Sequence, residues 1–84
     1  MWLAKVYVTL KPVVNDPQGL AIKGGLQHLG FETVDSVRMG KYLEVTLNDA
    51  EEANARAKVE DMCRKLLANP VIEDFRYELH GMSP

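Results

Sequence analysis

Thr33-Val-Asp-Ser-Val-Arg-Met-Gly-Lys-Tyr-Leu-Glu-Val-Thr-Leu47 is the stretch on which the architecture turns. Val37, Met39, Leu43, Val45 and Leu47 all occupy odd positions, and the parity survives Gly40. Alternation of this kind marks a strand with one buried face. A two-residue hairpin turn at Gly40 would pair odd with even positions and send one apolar set to the wrong face. It would also lack the Asn-Gly or Asp-Gly that such turns favour. Two arrangements keep the parity. One is a hairpin with the odd loop Gly40-Lys41-Tyr42. The other is a single long strand over 33–47, bent or bulged at Gly40. So long a strand exceeds what one small sheet uses, and its natural role is to serve two sheets, one of them shared across a dimer. We lean towards the long central strand.

The flanking segments supply the other elements. In Leu3-Ala-Lys-Val-Tyr-Val-Thr-Leu10, Ala4, Val6, Val8 and Leu10 share one face, which predicts a strand that Lys11-Pro12 ends. Asn15-Asp16-Pro17 then reads as a helix start, with Asp16 as N-cap and Pro17 at the first helical position. Ile22, Leu26 and Leu29 form a stripe expected to face the sheet, and Gly30 supplies the stop. Gly24 and Gly25 inside this helix cost about 1 kcal/mol each relative to alanine. Either something packs closely there, or the helix leans on tertiary support.

Asn48-Asp49 opens a second helix, with Glu51 and Glu52 against its dipole. Ala55, Val59, Met62 and Leu66 give its expected buried stripe, with Cys63 on the flank. Glu52/Arg56, Glu60/Arg64 and Asp61/Lys65 are i, i+4 pairs in the favourable acid-first order. Asn69-Pro70 stops the helix. A last strand is expected over 71–79, with Val71, Phe75, Tyr77 and Leu79 on one face, and residues 79–84 read as a frayed tail. The order β-α-β(-β)-α-β predicts an α+β fold related to the ferredoxin-like arrangement, an antiparallel sheet with two helices on one face, in a single domain spanning 1–84. The opposite sheet face, with Tyr7, Ile72 and several charges, is amphipathic enough to lie against another subunit.

Composition bounds the function. With 84 residues the core is thin, and a partner would help it. Apolar residues make up 46% and the net charge is −2, so no positive field draws nucleic acid or an anionic membrane. The lone Cys63 fits a reducing compartment, and neither a membrane span nor a signal-peptide pattern is present in the sequence. A cytoplasmic domain is expected.

The chemistry-bearing residues do not assemble into a catalytic pattern. His28, His80 and Cys63 lack metal-ligand spacing. Cys63 falls inside a helix, away from an N-terminus that would activate its thiol. Ser36 and Ser83 lack a nucleophile elbow. Glu73 and Asp74 point to opposite faces of a strand and cannot share a proton. Asp16-Pro-Gln-Gly19 lies where an anion could bind, but the Asp16 carboxylate already fills that position. Gly24-Gly25 and Gly30 sit in and after a helix, not after a strand as a dinucleotide fingerprint requires. The stacking aromatics of RNA-binding sheets are missing. A binding or assembly module, with no catalytic residue and no metal, is what remains.

Four stretches in order carry a resemblance: Lys5-Val-Tyr-Val-Thr-Leu-Lys11; Asp16-Pro-Gln-Gly19 with its helix; Val37-Arg-Met-Gly-Lys-Tyr42; and Leu66-Leu-Ala-Asn-Pro-Val-Ile-Glu-Asp-Phe75. Together they resemble the PurS family, the small subunits of phosphoribosylformylglycinamidine synthase, over the whole chain. Gly24-Gly25 departs from the better helix formers expected there. The resemblance implies a non-catalytic subunit of a purine-biosynthetic ligase complex. That complex converts formylglycinamide ribonucleotide, glutamine and ATP into formylglycinamidine ribonucleotide, glutamate, ADP and phosphate. It further implies a homodimer, with a tetramer as the alternative when the chain is alone. The dimer joins a glutaminase subunit (PurQ) to a synthetase subunit (PurL) and assists ammonia transfer between them. ATP and Mg belong to the large synthetase subunit, and no cofactor is implied for this chain.

The resemblance also marks partner-contact candidates. Asp16, Pro17, Gln18 and Gly19 shape the first helix start; Arg38, Gly40 and Lys41 sit at the mid-strand bend; Asn69, Pro70, Val71, Ile72 and Glu73 form a helix-to-strand corner. Each group has an alternative in the fold itself, as cap, bend or turn. The alternative function is a regulatory module of ferredoxin-like type that binds a small molecule at a dimer interface. Stabilisation by an added amino acid or nucleotide would distinguish it.

Overall fold

Strand β1 (Trp2–Leu10) lies at the centre of a three-stranded antiparallel sheet, with β2 (Gly40–Leu47) on one side and β3 (Glu73–Gly81) on the other. The computed structural model describes residues 1–83. Helix α1 (Pro17–His28) falls between β1 and β2; helix α2 (Glu52–Met62), continued by a π-helical turn over Cys63–Leu67, falls between β2 and β3. The fold is α+β, three antiparallel strands with two helices, and the optional fourth strand of the sequence reading does not form.

Within this chain the long strand over 33–47 is paired only from Gly40 onward, and the hairpin does not form. The structure starts β2 at Gly40 and leaves residues 34–39 outside any ladder. The reason lies in β1. Its pairing with β2 ends at Thr9–Gly40, and the chain then turns away at Lys11, so no strand of this chain runs beside residues 34–39. The central strand is therefore β1. The parity argument itself holds: Val37, Met39, Leu43 and Val45 are half-buried and Leu47 is buried, while Arg38, Tyr42, Glu44 and Thr46 are exposed. Gly40 does not bend the strand through an unusual φ. A side chain there would place its Cβ 2.6 Å from the Val8 carbonyl oxygen, so the residue permits a close backbone approach.

The core is formed by one face of the sheet and α2. Ala4, Val6, Val8, Leu47, Val59, Cys63 and Ala68 make one buried cluster, with Leu43, Val45, Phe75, Tyr77 and Leu79 around it. The fully buried stripe on α2 runs Ala55, Val59, Cys63, a repeat of four; Met62 packs half-buried against it as the sequence suggested, and Leu66 does not. Leu66 is 82% exposed. At 3.6 residues per turn a repeat of four drifts around the helix, and the wider π turn at Cys63–Leu67 absorbs the drift and keeps Leu67 and Ala68 inward. Helix α2 also begins at Glu52, later than Asn48-Asp49 indicates, because Asp49 holds Lys58 Nζ at 2.8 Å instead of capping. All three i, i+4 ion pairs form, Glu52–Arg56, Glu60–Arg64 and Asp61–Lys65, at 2.8–2.9 Å.

Helix α1 departs most from expectation. Asp16 caps it and Pro17 begins it as read, and it closes with a Schellman turn in which the Phe31 amide donates to the Leu26 carbonyl across Gly30. Yet it does not cover the sheet. Of its expected stripe, Ile22 and Leu29 are 41% and 73% exposed and Leu26 is half-buried, and of the two helices it is α2 whose packing against β1 is substantial. The expected second helix on the sheet face is thus a projecting one. The molecule measures 50 × 29 × 14 Å with a radius of gyration of 16.5 Å. A compact chain of this length would have about 12 Å.

Topology explains the contrast. β2 and β3 both run antiparallel to β1 and so parallel to each other. The chain between them must return the length of the sheet, which lays α2 across its face. β1 and β2 are antiparallel neighbours, so the chain leaves the sheet at Leu10 and re-enters at Gly40 at the same end, and nothing forces α1 over the sheet. The last strand also corrects the tail. Leu79, His80 and Gly81 pair with Ala4, Leu3 and Trp2, and the Met82 amide donates to the Met1 carbonyl. Of the stretch read as frayed, Pro84 lies outside the described residues.

Candidate functional site

The same topology gathers the candidate residues. The start of α1, the return at Gly40 and the corner before β3 all lie at one end of the sheet, where Leu10 pairs with Glu73 and Thr9 with Gly40. Asp16, Gln18, Gly40, Lys41 and Glu73 line a single hollow of about 250 Å³ there, floored by Val8 and Leu10. Two residues from each of the first two sequence groups and one from the third are thereby brought within one shallow concavity.

Asp16 is the centre of this end, only 4% exposed. Its Oδ1 accepts from the Gly19 amide at 2.9 Å, the cap foreseen from sequence. Its Oδ2 accepts from the Met39 amide at 2.6 Å, a bond joining segments 23 residues apart. Those two amide donors, Met39 foremost, hold its carboxyl below the ordinary aspartate value, against the burial that would raise it. Gly19 is buried against Val37, where a side chain would collide with the Val37 carbonyl oxygen and crowd Asp16 Oδ2 at 2.8 Å. Pro17 and Gln18 are exposed on the first turn.

Arg38 sends one guanidinium nitrogen to two carbonyls, Lys11 and Val14, each at 2.9 Å. Those carbonyls bracket the turn closed by the Val14 amide on Lys11. The side chain thus ties the returning segment to the departing one, and its observed contacts are internal. Lys41, opposite Val8 in the ladder, is exposed at the rim of the hollow, and among the described residues it makes no ion pair.

The corner folds on itself. Asn69 Oδ1 accepts from Val71 at 3.1 Å, and the Asn69 carbonyl accepts from Ile72 and Glu73 at 3.1 and 2.7 Å. Glu73 Oε1 in turn accepts from the Asn69 amide at 2.7 Å. The Lys11 amide donates to the Ile72 carbonyl, locking the corner to the end of β1. Pro70 and Val71 stay exposed, as does Leu66 earlier in the chain. Of the twelve candidates, then, Asp16, Gly19, Arg38, Asn69 and Glu73 have structural partners within the chain. Gln18, Lys41, Pro70 and Val71 present themselves outward.

Sequence reasoning missed the Met39 amide and the Lys11 and Val14 carbonyls. No local pattern reports them, because backbone groups carry no residue signature. Elsewhere, burial pushes the Cys63 thiol upward, so it is a core side chain in this setting. Among the described residues no group of three or more His, Cys, Asp or Glu is placed to hold a metal, and no helix is long and apolar enough to cross a membrane.

Comparison with known proteins gives a consistent answer. The PurS family, described as phosphoribosylformylglycinamidine (FGAM) synthase, matches residues 3–81. The phosphoribosylformylglycinamidine synthase subunit PurS of Synechocystis is 49% identical over 78 residues, covering 93% of this chain and 78% of that protein. A solved structure of Bacillus subtilis PurS superposes with a TM-score of 0.86 at 46% identity, covering 96% of this chain and all of that one. A chain of the PurLQS structure from Thermotoga maritima superposes at 0.84 with 25% identity, covering 95% of this chain and 99% of that one. By the match over nearly its full length, in sequence and in fold, this chain belongs to the PurS family of phosphoribosylformylglycinamidine synthase.

Proposed function

We propose that this protein is the small, non-catalytic subunit of phosphoribosylformylglycinamidine synthase in purine biosynthesis. In the cytoplasm it joins a glutaminase subunit, PurQ, to an ATP-dependent synthetase subunit, PurL. The complex converts formylglycinamide ribonucleotide, glutamine, ATP and water into formylglycinamidine ribonucleotide, glutamate, ADP and phosphate. The family match over residues 3–81 carries this reading. The relative that superposes as part of PurLQS supports the choice of partners.

The physical task is to keep two reactions together. Ammonia released to neutral water takes up a proton, and ammonium has no lone pair with which to attack. A protein-lined passage between the two active sites keeps the nitrogen neutral and raises its effective concentration at the second site. A subunit can therefore decide whether glutamine supports synthesis without touching the reacting atoms. ATP and Mg serve the synthetase subunit.

Two features support an assembly role. Helix α1 leaves Leu20, Ile22 and Leu29 exposed in this chain, with Phe31 beyond its end. The thin core and elongated shape likewise suit a chain that works as a homodimer within a larger complex. Reconstitution tests the reading. The purified chain should be inert alone and should restore glutamine-dependent synthesis to PurQ and PurL, with far less effect when ammonium salt is the nitrogen source. Equal dependence with both nitrogen sources would remove ammonia transfer from its role.

A further inference from the structure

We propose that Asp16 is a positioning residue whose two carboxylate oxygens, aided by Arg38, set the direction in which helix α1 projects from the sheet. A helix in a small domain is ordinarily oriented by an apolar face buried against its neighbours. Helix α1 has little such anchorage here: Leu20 and Ile22 are exposed, Leu26 is half-buried but outside the core cluster, and the one buried residue is Gly19. What ties it to the sheet is polar and sits at its first turn. Asp16 Oδ1 holds Gly19 inside the helix while Oδ2 holds Met39, next to the first residue of β2. Gly19 lets Val37 lie directly against that turn. Arg38 adds a second tie, from the returning segment to the Lys11 and Val14 carbonyls of the departing one. Farther along, the Gln27 side-chain amide on the Val34 carbonyl, at 3.1 Å and exposed, joins α1 only to its own following loop.

Helix α1 is therefore a lever clasped at one end. Its distal part follows the orientation imposed at Asp16, and opening the clasp frees the lever without opening the sheet, whose buried cluster contains no residue of α1. This inference concerns the isolated fold and does not depend on the assembly role proposed above.

Asp16→Asn separates capping from clasping. Asparagine is an equally good N-cap and keeps an acceptor for Gly19, but its second atom is an NH2 group that cannot accept from Met39. Spin labels at Leu29→Cys and Thr46→Cys in a Cys63→Ala background, diluted into unlabelled protein, report the lever angle within one chain. The intact clasp should give one narrow distance distribution. Asp16→Asn should broaden and shift it while far-ultraviolet circular dichroism stays unchanged, and Arg38→Met should broaden it less. Amide exchange in the label-free proteins should show residues 23–29 accelerating by about tenfold in Asp16→Asn, with Val6 and Val8 accelerating by a smaller factor. An unchanged distance distribution in Asp16→Asn would overturn the proposal. So would equal acceleration of α1 and β1 amides, which would make Asp16 a residue of general stability.

Discussion

Helices α1 and α2 are similar in length, and each carries apolar residues at helical spacing, yet they meet opposite fates. On α2, Ala55 and Val59 are fully buried, as is Cys63 just beyond; on α1, Leu20 and Ile22 are exposed and Leu26 only half-buried, with Leu29 exposed at the C-cap. The difference does not lie in the amount of apolar surface, because α1 carries the larger side chains. It lies in the strands each helix connects. Parallel strands oblige their connection to cross the sheet, and antiparallel neighbours do not. An amphipathic stripe thus announces that a helix will be covered, and connectivity decides whether its own chain does the covering.

The contrast can be broken by mutation. The largest effect is expected at Val59, where truncation to alanine leaves a cavity under β1 and should cost about 2 kcal/mol in urea denaturation. Leu29→Ala on α1 should change the stability of the chain by less than about 0.5 kcal/mol. Equal costs would mean that α1 is covered in solution as α2 is here. Gly40→Ala comes next. Its Cβ would press on the Val8 carbonyl, and a cost of about 1–2 kcal/mol is expected, read as a lowered urea midpoint.

Acid sharpens the comparison at the root of α1. The Asp16 carboxyl sits below its ordinary 3.8 in the folded state, so its stabilising contribution is complete above that value and disappears as the pH falls through the lower folded one. Arg38 favours the ionised form, and Lys41 and Glu73 share the hollow beside it. The wild type should therefore melt about 5 °C above Asp16→Asn at pH 7, and the gap should narrow between pH 4 and pH 2. A gap that does not change with pH would assign the difference to something other than carboxylate charge.

A gain in stability is expected at Gly24 and Gly25. A Cβ at either position would meet nothing within 4 Å, so the close neighbour that their presence suggested is absent from this chain. Alanine at either should stabilise the isolated protein by up to about 1 kcal/mol in thermal melts. The same substitutions weakening the reconstituted complex would place a partner against that face.

Much of this was legible along the chain. Odd-position parity through Gly40 identified the inner face of β2, the Asp16-Pro17 pair located the start of α1, and the acid-first pairs on α2 formed as written, because each depends on residues a few positions apart. The hollow lined by Asp16, Lys41 and Glu73 was not legible as one place, although each of its members had been singled out. Of the strand read over 33–47, only Gly40–Leu47 pairs within this chain: alternation specifies which face a residue offers, but a ladder also needs a neighbouring strand, and β1 ends too soon to provide it.

What the sequence determined by itself is therefore local: caps, stops, faces, and family membership through motifs that survive in order. Tertiary structure alone decided that α1 projects, that three distant motifs meet at one sheet end, and that Asp16 spends its second oxygen on Met39. Those outcomes follow from strand direction and from backbone groups, and neither leaves a mark in the identity of the side chains.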